Sequence, residues 1–551
     1  MRRFFFTMLF GLLLCGVYAQ KENASIGRYW VQFSDKNDSP YSLDNPEAYL
    51  SERALQRRAN QGIAIDEYDL PVNPAYLEMV KMCGAVIINP SKWLNGTTVE
   101  VPNPQVLVAL TGQSFVTEVF MIAPPDSKCG AKDKSYTKNE SYEPLDVETR
   151  RNKGFYGEGL TQIEQLNGTV LHDQGYMGEG MVIAVLDGGF SGADTHSLFD
   201  NMREEGRLLG TRNFVIPGSS VYTQSTHGTS CLSTMAAYIP NYFVGTAPKA
   251  SYYLIHTEDS RSENIIEEYN WVSGAEYADS LGVDICTTSL GYVDFDLTQW
   301  NHPYAHLDGN TAPISRGAVI ACSRGMICLN AAGNSGSDPN PYISVPSDVQ
   351  EVITVGAVDA YGDRAYFSSI GPTADGRIKP DVMAMGQGTT VADGSGGIYY
   401  GSGTSFSTPV LAGMVACLWQ ANPWATPAQI REALLNCADN ANNPNSEYGY
   451  GIPNFQDAML CLGTPEVIEP AEEIVLVYPN PFGDDVNVRL LEGSKANVMV
   501  CDFYGRQLYS CSFNGLNHTS LERELKSLAA GVYFLNVTSE YGRQVIKVVK
   551  Y

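Results

Sequence analysis

Four polar residues that together could carry out acyl transfer are scattered along the chain: Asp187, His227, Asn334 and Ser405. A serine hydroxyl is a poor nucleophile until a base takes its proton, and an imidazole, whose pKa lies near neutrality, suits that role. A carboxylate fixes the tautomer of the imidazole, and an amide donor stabilises the developing oxyanion. The four residue types therefore predict nucleophilic catalysis if the fold brings them together.

Each of the four also has an ordinary structural explanation. Ser405 could cap a helix, Asp187 could cap a turn, and Asn334 could occupy a left-handed turn position. His227 is one of seven histidines. Their joint placement at the ends of predicted elements favours chemistry over these explanations.

A predicted helix positions Ser405. Between Gly401 and Gln420 a glycine-rich approach leads into apolar residues at helical spacing, so one face packs into a core while the N-terminus stays at an edge. Backbone N–H groups there have no partner inside the helix, and the positive end of the helix dipole favours negative charge beside Ser405. Pro409 is expected within about the first turn, where a missing N–H is tolerated.

The other three residues also follow or begin predicted elements. Asp187 comes directly after the apolar run MVIAVL and before Gly188-Gly189, and Asn334 stands at the end of MICLNAAGN. His227 opens HGTSCLSTMAAYI, whose apolar residues give a helix one buried face. Ligands of parallel sheets lie at the carboxyl ends of the strands, so these placements predict one shared site.

The segment 154–463 has the pattern of a parallel sheet with helices on both faces, an α/β fold. Short apolar runs alternate with longer helix-patterned segments, which is typical of βαβ units. The predicted strands are 181–186, 252–255, 283–290, 326–332 and 352–358. The predicted helices include 263–278, 316–324 and one that opens with a capping box at Thr426.

The flanking segments differ in composition from this centre. Residues 27–123 mix strand-like and helical runs and predict a small α+β domain, and the polar stretch 124–153 predicts a linker or processing region. Residues 464–473 form a Pro/Glu-rich linker, and 474–551 show the short alternating strands of an all-β sandwich.

The N-terminus indicates export, and the net charge argues against nucleic acid as a partner. Residues 1–19, with two arginines before an apolar run, predict a signal peptide; a lipoprotein site at Cys15 is less favoured because Leu14 precedes it. The net charge of -25 and the pI near 4.6 argue against nucleic acid as a partner.

The cysteine count supports neither a dense disulfide framework nor a zinc knuckle. Eleven of the twelve cysteines remain once Cys15 is removed, and no Cys-x-x-Cys pair occurs. Cysteines in apolar runs, such as Cys231 and Cys417, are predicted to be buried small hydrophobic residues.

The motifs around the four residues resemble a known family. They are AVLDGG at Asp187, HGTS at His227, AAGNSG at Asn334 and GTSFSTP at Ser405. Their order and their spacings of 40 (227 minus 187) and 178 (405 minus 227) are similar to those of the subtilisin-like serine peptidases, the subtilases, over roughly residues 155 to 460. An α/β-hydrolase would need G-x-S-x-G and the order Ser, acid, His, neither of which is present.

The resemblance implies a role for each position. Ser405 is expected as the nucleophile, His227 as general base and acid, Asp187 as the orienting carboxylate and Asn334 as the oxyanion donor. It also implies an edge strand whose backbone pairs with an extended substrate by β-augmentation. The residues that match that strand are Ser289, Leu290 and Gly291.

No cofactor is implied for the chemistry, and structural calcium, which many subtilases bind, stays open. Asp294 and Asp296 are close in sequence, but no EF-hand pattern follows them. Substrate preference, disulfide pairing and oligomeric state stay open as well.

Both flanking units also resemble known modules. The unit 27–123 resembles a subtilase propeptide, which implies help in folding and a blocked cleft until cleavage; a permanent accessory domain is the alternative. The C-terminal unit, with YPNPF at 478–482 and GVYF at 531–534, resembles the sorting domain of the type IX secretion system of Gram-negative bacteria. A plain packing module is the alternative there.

Together these features predict a secreted or surface-bound serine endopeptidase that is made as a precursor. Its expected partners are protein or peptide substrates and, through the C-terminal unit, the secretion machinery. The alternative is a non-catalytic surface binding protein on a subtilase scaffold, which an active-site label on the mature protein would distinguish.

Overall fold

The computed structural model describes residues 26–125, 141–144, 154–463, 475–491, 495–502, 507–514, 518–521, 525–539 and 542–551. The predicted signal peptide 1–19, the linker 464–473 and most of the region 124–153 lie outside these residues. Within the described ranges, no helix has the length and apolar character needed to cross a membrane.

The N-terminal unit, residues 27–123, is an antiparallel sheet covered by helices. Its elements are β1 (Gly27–Phe33), α1 (Glu52–Gln61), α2 (Pro74–Met82), β2 (Val86–Ser91), β3 (Gly96–Val101), α3 (Pro104–Thr111) and β4 (Val116–Ala123). The strand order is β2-β3-β1-β4. The residue before each helix caps it, because its side chain accepts a backbone N–H of the first turn; these residues are Ser51, Asn73 and Asn103. The predicted α+β class is confirmed.

The central unit, residues 154–463, follows a short strand, β5 (Ser141–Pro144). Its first half contains α4 (Leu160–Glu164), α5 (Thr169–Asp173), β6 (Val182–Asp187), α6 (Asp200–Glu204), β7 (Leu208–Asn213), α7 (His227–Ala236), β8 (Tyr238–Ile239), β9 (Phe243–Val244), β10 (Ser251–His256) and α8 (Ile266–Leu281). Its second half contains β11 (Ile285–Thr288), α9 (Pro313–Ser323), β12 (Ile327–Ala331), β13 (Ile353–Val358), β14 (Val382–Met385), β15 (Gln387–Ala392), β16 (Ile398–Ser402), α10 (Thr404–Ala421), α11 (Pro427–Asn436) and α12 (Phe455–Leu462).

Seven parallel strands form the main sheet of the central unit, in the order β14-β13-β12-β11-β6-β10-β7. Side chains of β6 alternate between the two faces, because successive residues of a strand point to opposite sides. Ile183 and Val185 pack with α7 and α10, whereas Ala184 and Leu186 pack with α8 and α9. The predicted parallel sheet with helices on both faces is confirmed.

The N-terminal unit packs on α8 through buried charges. Glu276 of α8 accepts the backbone N–H of Lys92 at 2.8 Å. Asp279, about one turn further on, forms ion pairs with Arg57, with Arg58 at 2.9 Å and with Lys92 at 3.3 Å. All of these side chains are buried, so the contacts are shielded from water and attract strongly.

The C-terminal unit, residues 474–551, is a sandwich of two antiparallel sheets. Its strands are β17 (Val475–Tyr478), β18 (Asn487–Leu490), β19 (Lys495–Cys501), β20 (Gln507–Asn514), β21 (His518–Ser520), β22 (Gly531–Ser539) and β23 (Gly542–Lys550). The sheet orders are β17-β18-β21 and β20-β19-β22-β23. Alternate residues of β19 and β22, such as Val498 and Leu535, are buried in a shared core. The predicted all-β architecture is confirmed.

Candidate active site

Ser405 is the second residue of α10 and is buried, with 5% of its surface exposed. Pro409 is the sixth residue of that helix, so the expectation that it lies in the first turn is wrong. Its missing N–H is the one that would bond the carbonyl of Ser405. Instead, Ser289 Oγ donates to this carbonyl at 2.8 Å and Cys231 Sγ donates to it at 3.3 Å. Two distant elements thus satisfy the group that proline leaves open.

Asp187 and His227 meet at the carboxyl end of the sheet. Asp187 is the last residue of β6 and His227 is the first of α7. Asp187 Oδ1 lies 2.8 Å from His227 Nδ1 and also accepts the N–H of Gly188 at 2.7 Å. A carboxylate can only accept, so Nδ1 carries the proton and the basic nitrogen of the neutral ring is Nε2. This is the tautomer that a general base needs.

Shared neighbours place Ser405 and His227 on the same side of the sheet. Cys231 Sγ, which contacts the Ser405 carbonyl, lies 3.9 Å from His227 Nδ1. The ring of Phe406, the residue after Ser405, has its centroid 6.2 Å from that of the imidazole. Burial raises the pKa of Cys231 to about 11, which keeps this neighbour a neutral thiol.

Asn334 lies beside the start of α10, half-buried in the loop after β12. Its Oδ1 accepts the backbone N–H of Thr404 at 2.9 Å and the hydroxyl of Thr404 at 3.0 Å. A backbone N–H can only donate, so the atom facing Thr404 must be the amide oxygen. The amide nitrogen Nδ2, a donor, therefore points away from the Thr404 N–H. The N–H of Gly333 donates to Thr404 Oγ1 at 3.2 Å, which holds that hydroxyl in turn.

The segment Ser289, Leu290 and Gly291 follows β11 and lies beside Ser405. Ser405 Oγ lies 3.4 Å from the carbonyl oxygen of Ser289, and the carbonyl of Leu290 accepts the side-chain amide of Asn330 at 3.0 Å. Gly291 is exposed, and a Cβ on it would lie 1.9 Å from Ser344 Oγ, so only glycine fits there. Ser289 is the residue of this segment that hydrogen-bonds to Ser405, through its hydroxyl and its carbonyl oxygen.

Sequence reasoning missed three residues that support the nucleophile: Cys231, Ser289 through its hydroxyl, and Thr404. Thr404 lies in the GTSFSTP motif and Ser289 in the segment 289–291, but the sequence spacing of these motifs does not indicate which atoms the two residues contact. Cys231 is predicted only as a small buried residue, and it is indeed buried. Its contacts with both His227 and Ser405 depend on the packing of α7 against α10.

Acidic groups are present near this region without defining a metal site. Carboxylate oxygens of Glu258, Glu263 and Glu267 lie within 4.8 Å of one another. Asp296, one of the two carboxylates considered for calcium, accepts the backbone N–H of Glu263 at 3.0 Å. Acidic clusters are common without an ion, so the question of structural calcium stays open.

Comparison with known proteins gives three family matches and several relatives. The matching models are the subtilase family over residues 178–451, a peptidase S8 propeptide domain of Bacteroidota over 28–139, and a secretion system C-terminal sorting domain over 476–551. Subtilisin NAT of Bacillus subtilis subsp. natto is 32% identical over 304 residues, covering 54% of this chain and 70% of the relative. Subtilisin E of Bacillus subtilis (strain 168) has the same identity and coverage. Serine protease AprX of the same strain is 30% identical over 330 residues, covering 54% of this chain and 70% of the relative.

Proposed function

Because the chain belongs to the subtilase family of serine peptidases, we propose that Asp187, His227 and Ser405 are its catalytic triad and Asn334 its oxyanion donor. Family membership makes the protein a serine-type endopeptidase, and the C-terminal sorting domain makes it a secreted one. The observation that carries the residue assignment is the 2.8 Å contact between Asp187 and His227, next to the helix start that bears Ser405.

The first half of the reaction follows from the fixed tautomer of His227. Its Nε2 takes the proton of Ser405 Oγ while the oxygen attacks the carbonyl carbon of the scissile peptide bond. Asp187 stabilises the imidazolium that forms. Asn334 Nδ2 and the backbone N–H of Ser405, which has no acceptor within the first turn of α10, donate to the oxyanion.

The second half releases two products in turn. His227 passes its proton to the leaving amine, and the acyl group stays on Ser405 as an ester. Water then attacks the ester while His227 takes its proton; the bond to Ser405 Oγ breaks, His227 returns the proton to that oxygen, and the acid product leaves. The extended substrate pairs with the backbone of the segment 289–291, whose exposed Gly291 leaves its edge open.

The N-terminal unit acts as a propeptide in this proposal. Support comes from β5, which pairs antiparallel with β16 in the register Ser402 to Ser141. Ser402 lies three residues before Ser405, so the chain that follows the N-terminal unit passes close to the nucleophile. Pairing at this place is what an uncleaved precursor needs to keep substrate out.

Ser405→Ala tests the assignment, with Ser407→Ala as the matched control. Ser407 is buried in the same helix, and its hydroxyl donates to the carbonyl of Thr404 at 3.0 Å, within its own turn. We expect the first variant to lose peptide hydrolysis and fluorophosphonate labelling while its circular dichroism stays unchanged. The second variant should keep its label.

Unchanged labelling of Ser405→Ala would refute the nucleophile assignment. A processed wild-type protein that takes up no label would instead favour the non-catalytic binding protein. Removal of the C-terminal unit tests its proposed partner, because a chain without residues 474–551 should no longer leave the periplasm if the secretion machinery recognises that unit.

A further inference from the structure

Two cysteines near the end of the central unit lie almost within bonding distance of each other. Cys437 caps the C-terminus of α11, and Cys461 lies in the last turn of α12. Their Sγ atoms are 2.7 Å apart. The sulfur–sulfur bond of a disulfide is about 2.05 Å long, so the two atoms would have to approach by only about 0.7 Å.

The backbone holds both cysteines where they are. The N–H of Asn454, the residue before α12, donates to the carbonyl of Cys437 at 3.0 Å. Ala438 and Pro453 form an antiparallel bridge next to this bond. Phe455 and Ala458 of α12 are fully buried in the main core. The proximity of the sulfurs therefore belongs to the packing of α11 against α12 and not to a chance side-chain orientation.

The two sulfurs differ in their access to an oxidant. Cys461 is exposed, whereas Cys437 is half-buried. Burial, with a smaller part from the hydrogen bond to Cys461, raises the pKa of the Cys437 thiol to about 12. The thiolate is the attacking species in disulfide exchange, so Cys461 is the sulfur that meets the oxidant first.

Two buried cysteines of the central unit, Cys231 and Cys417, have different surroundings. Cys231 and Cys417 are buried, and each donates to a backbone carbonyl, at 3.3 Å and 3.2 Å respectively. Burial raises the pKa of both thiols, which makes them inert. Cys461, by contrast, is exposed, so an oxidant can reach the pair that it forms with Cys437.

We propose that Cys437 and Cys461 form a disulfide bond after the chain has left the cytoplasm. Secreted proteins pass through an oxidising compartment, where disulfides form and persist. The proposal is independent of the triad assignment, because it needs only secretion and the geometry of the two sulfurs.

The oxidant is a disulfide, on a periplasmic thiol–disulfide oxidoreductase or a small molecule. The Cys461 thiolate attacks one sulfur of that disulfide and releases the other as a thiol, giving a mixed disulfide. Cys437 then loses its proton, attacks Cys461 Sγ and releases the second thiol. Two protons and two electrons pass from the cysteines to the oxidant, which is reduced to its dithiol form.

The bond would fasten the last helix of the central unit. Within the described residues, α12 is the final helix, and the linker 464–473 that leads to the C-terminal unit follows it. A covalent link to α11 would add to the buried contacts of Phe455 and Ala458 that hold α12 on the core.

Peptide mapping tests the bond directly. The full-length Ser405→Ala protein, secreted so that it does not digest itself, is alkylated without reduction. Trypsin leaves both cysteines in one peptide because no lysine or arginine lies between Arg431 and Arg489, whereas a glutamate-specific protease cuts between them after Glu447. We expect peptides 433–447 and 448–466 to be joined and to separate on reduction. Alkylation of both thiols without reduction, or a link from either to another cysteine, would overturn the proposal.

Thermal unfolding tests the effect on stability. Dithiothreitol should lower the midpoint of the secreted Ser405→Ala protein, and it should have no effect on the same protein carrying Cys437→Ala and Cys461→Ala. Each single variant should match the double variant, because one thiol alone cannot form the bond. Cys83→Ala, at a half-buried cysteine of the N-terminal unit, should keep the full response. A response to reductant that persists in the double variant would assign the sensitive bond elsewhere and contradict the proposal.

Discussion

Asp279→Asn is expected to weaken the binding of the N-terminal unit to the central unit by two to three and a half orders of magnitude. Asp279 is fully buried and pairs with Arg57, Arg58 and Lys92, none more than 9% exposed. Burial alone would raise the pKa of Asp279, but the charges of Lys92, Arg57 and Arg58 lower it, so the carboxylate is ionised. Removing one partner of a buried ion pair costs about 3 to 5 kcal/mol. At about 1.4 kcal/mol for each factor of ten, this is a factor of roughly 150 to 4000 in the dissociation constant.

Asp284→Asn is the matched control on the same face. Asp284 pairs with Arg53, whose side chain is 43% exposed, and an asparagine oxygen can still accept the N–H of Val182. Exposed ion pairs contribute about 0.2 to 1 kcal/mol, so this change should weaken binding by no more than about fivefold. The same substitution chemistry at two burial levels thus isolates the effect of burying the charge.

Inhibition of the processed enzyme in trans measures both effects. Processed wild-type, Asp279→Asn and Asp284→Asn enzymes are titrated with one preparation of the wild-type N-terminal unit, so the folding equilibrium of that unit cancels in the ratios. Turnover without the inhibitor should be the same for all three, since Asp279 lies on α8, outside the proposed triad and oxyanion residues. Equal loss of affinity in both variants would refute the claim that the buried charges hold the units together.

Three further outcomes can be measured. Asn334→Ala should lower kcat by about 10² to 10³, the loss found when subtilisin loses its oxyanion asparagine. Thr404→Val removes the hydroxyl bond to Asn334 Oδ1 but keeps the backbone bond to it, and should lower kcat by about tenfold; both values are read from steady-state kinetics. Burial lowers the pKa of His302, but the hydrogen bond to Glu268 and the charges of Glu268 and Asp348 together raise it by more. The pair therefore stabilises the fold fully below pH 6.5 and less as pH rises through the raised pKa, so thermal midpoints of wild type and His302→Gln should differ most in acid and converge in base. Asp381→Ala leaves the buried Lys379 without its ion pair. It should lower the free energy of unfolding by about 3 to 5 kcal/mol, measured by guanidinium unfolding of the Ser405→Ala protein.

The interior of the main sheet could be predicted from sequence, and its edges could not. Strands β6, β10, β11, β12 and β13 are covered on both faces, and such strands have nearly continuous apolar runs. The two edge strands were missed. β7 has the sequence LLGTRN and is largely exposed, while β14 has only four residues. Neither gives a run that stands out from a loop.

At the candidate site, residue identities were predictable and supporting contacts were not. Motif and spacing indicate Asp187, His227 and Ser405, because each stands at the end or the start of a predicted element. The position of Pro409 was predicted wrongly, since the sequence does not show that α10 begins at Thr404. The compensation for its missing N–H comes from residues far along the chain, which no local pattern encodes.

The carbonyl of Ser405 is held by partners 116 and 174 positions away in the chain, Ser289 and Cys231. These contacts arise only when α7, β11 and α10 have all assembled. We therefore expect a partly assembled chain to lack these two supports of Ser405, the nucleophile that we propose. Activity would then depend on contacts between parts of the chain that are far apart in sequence.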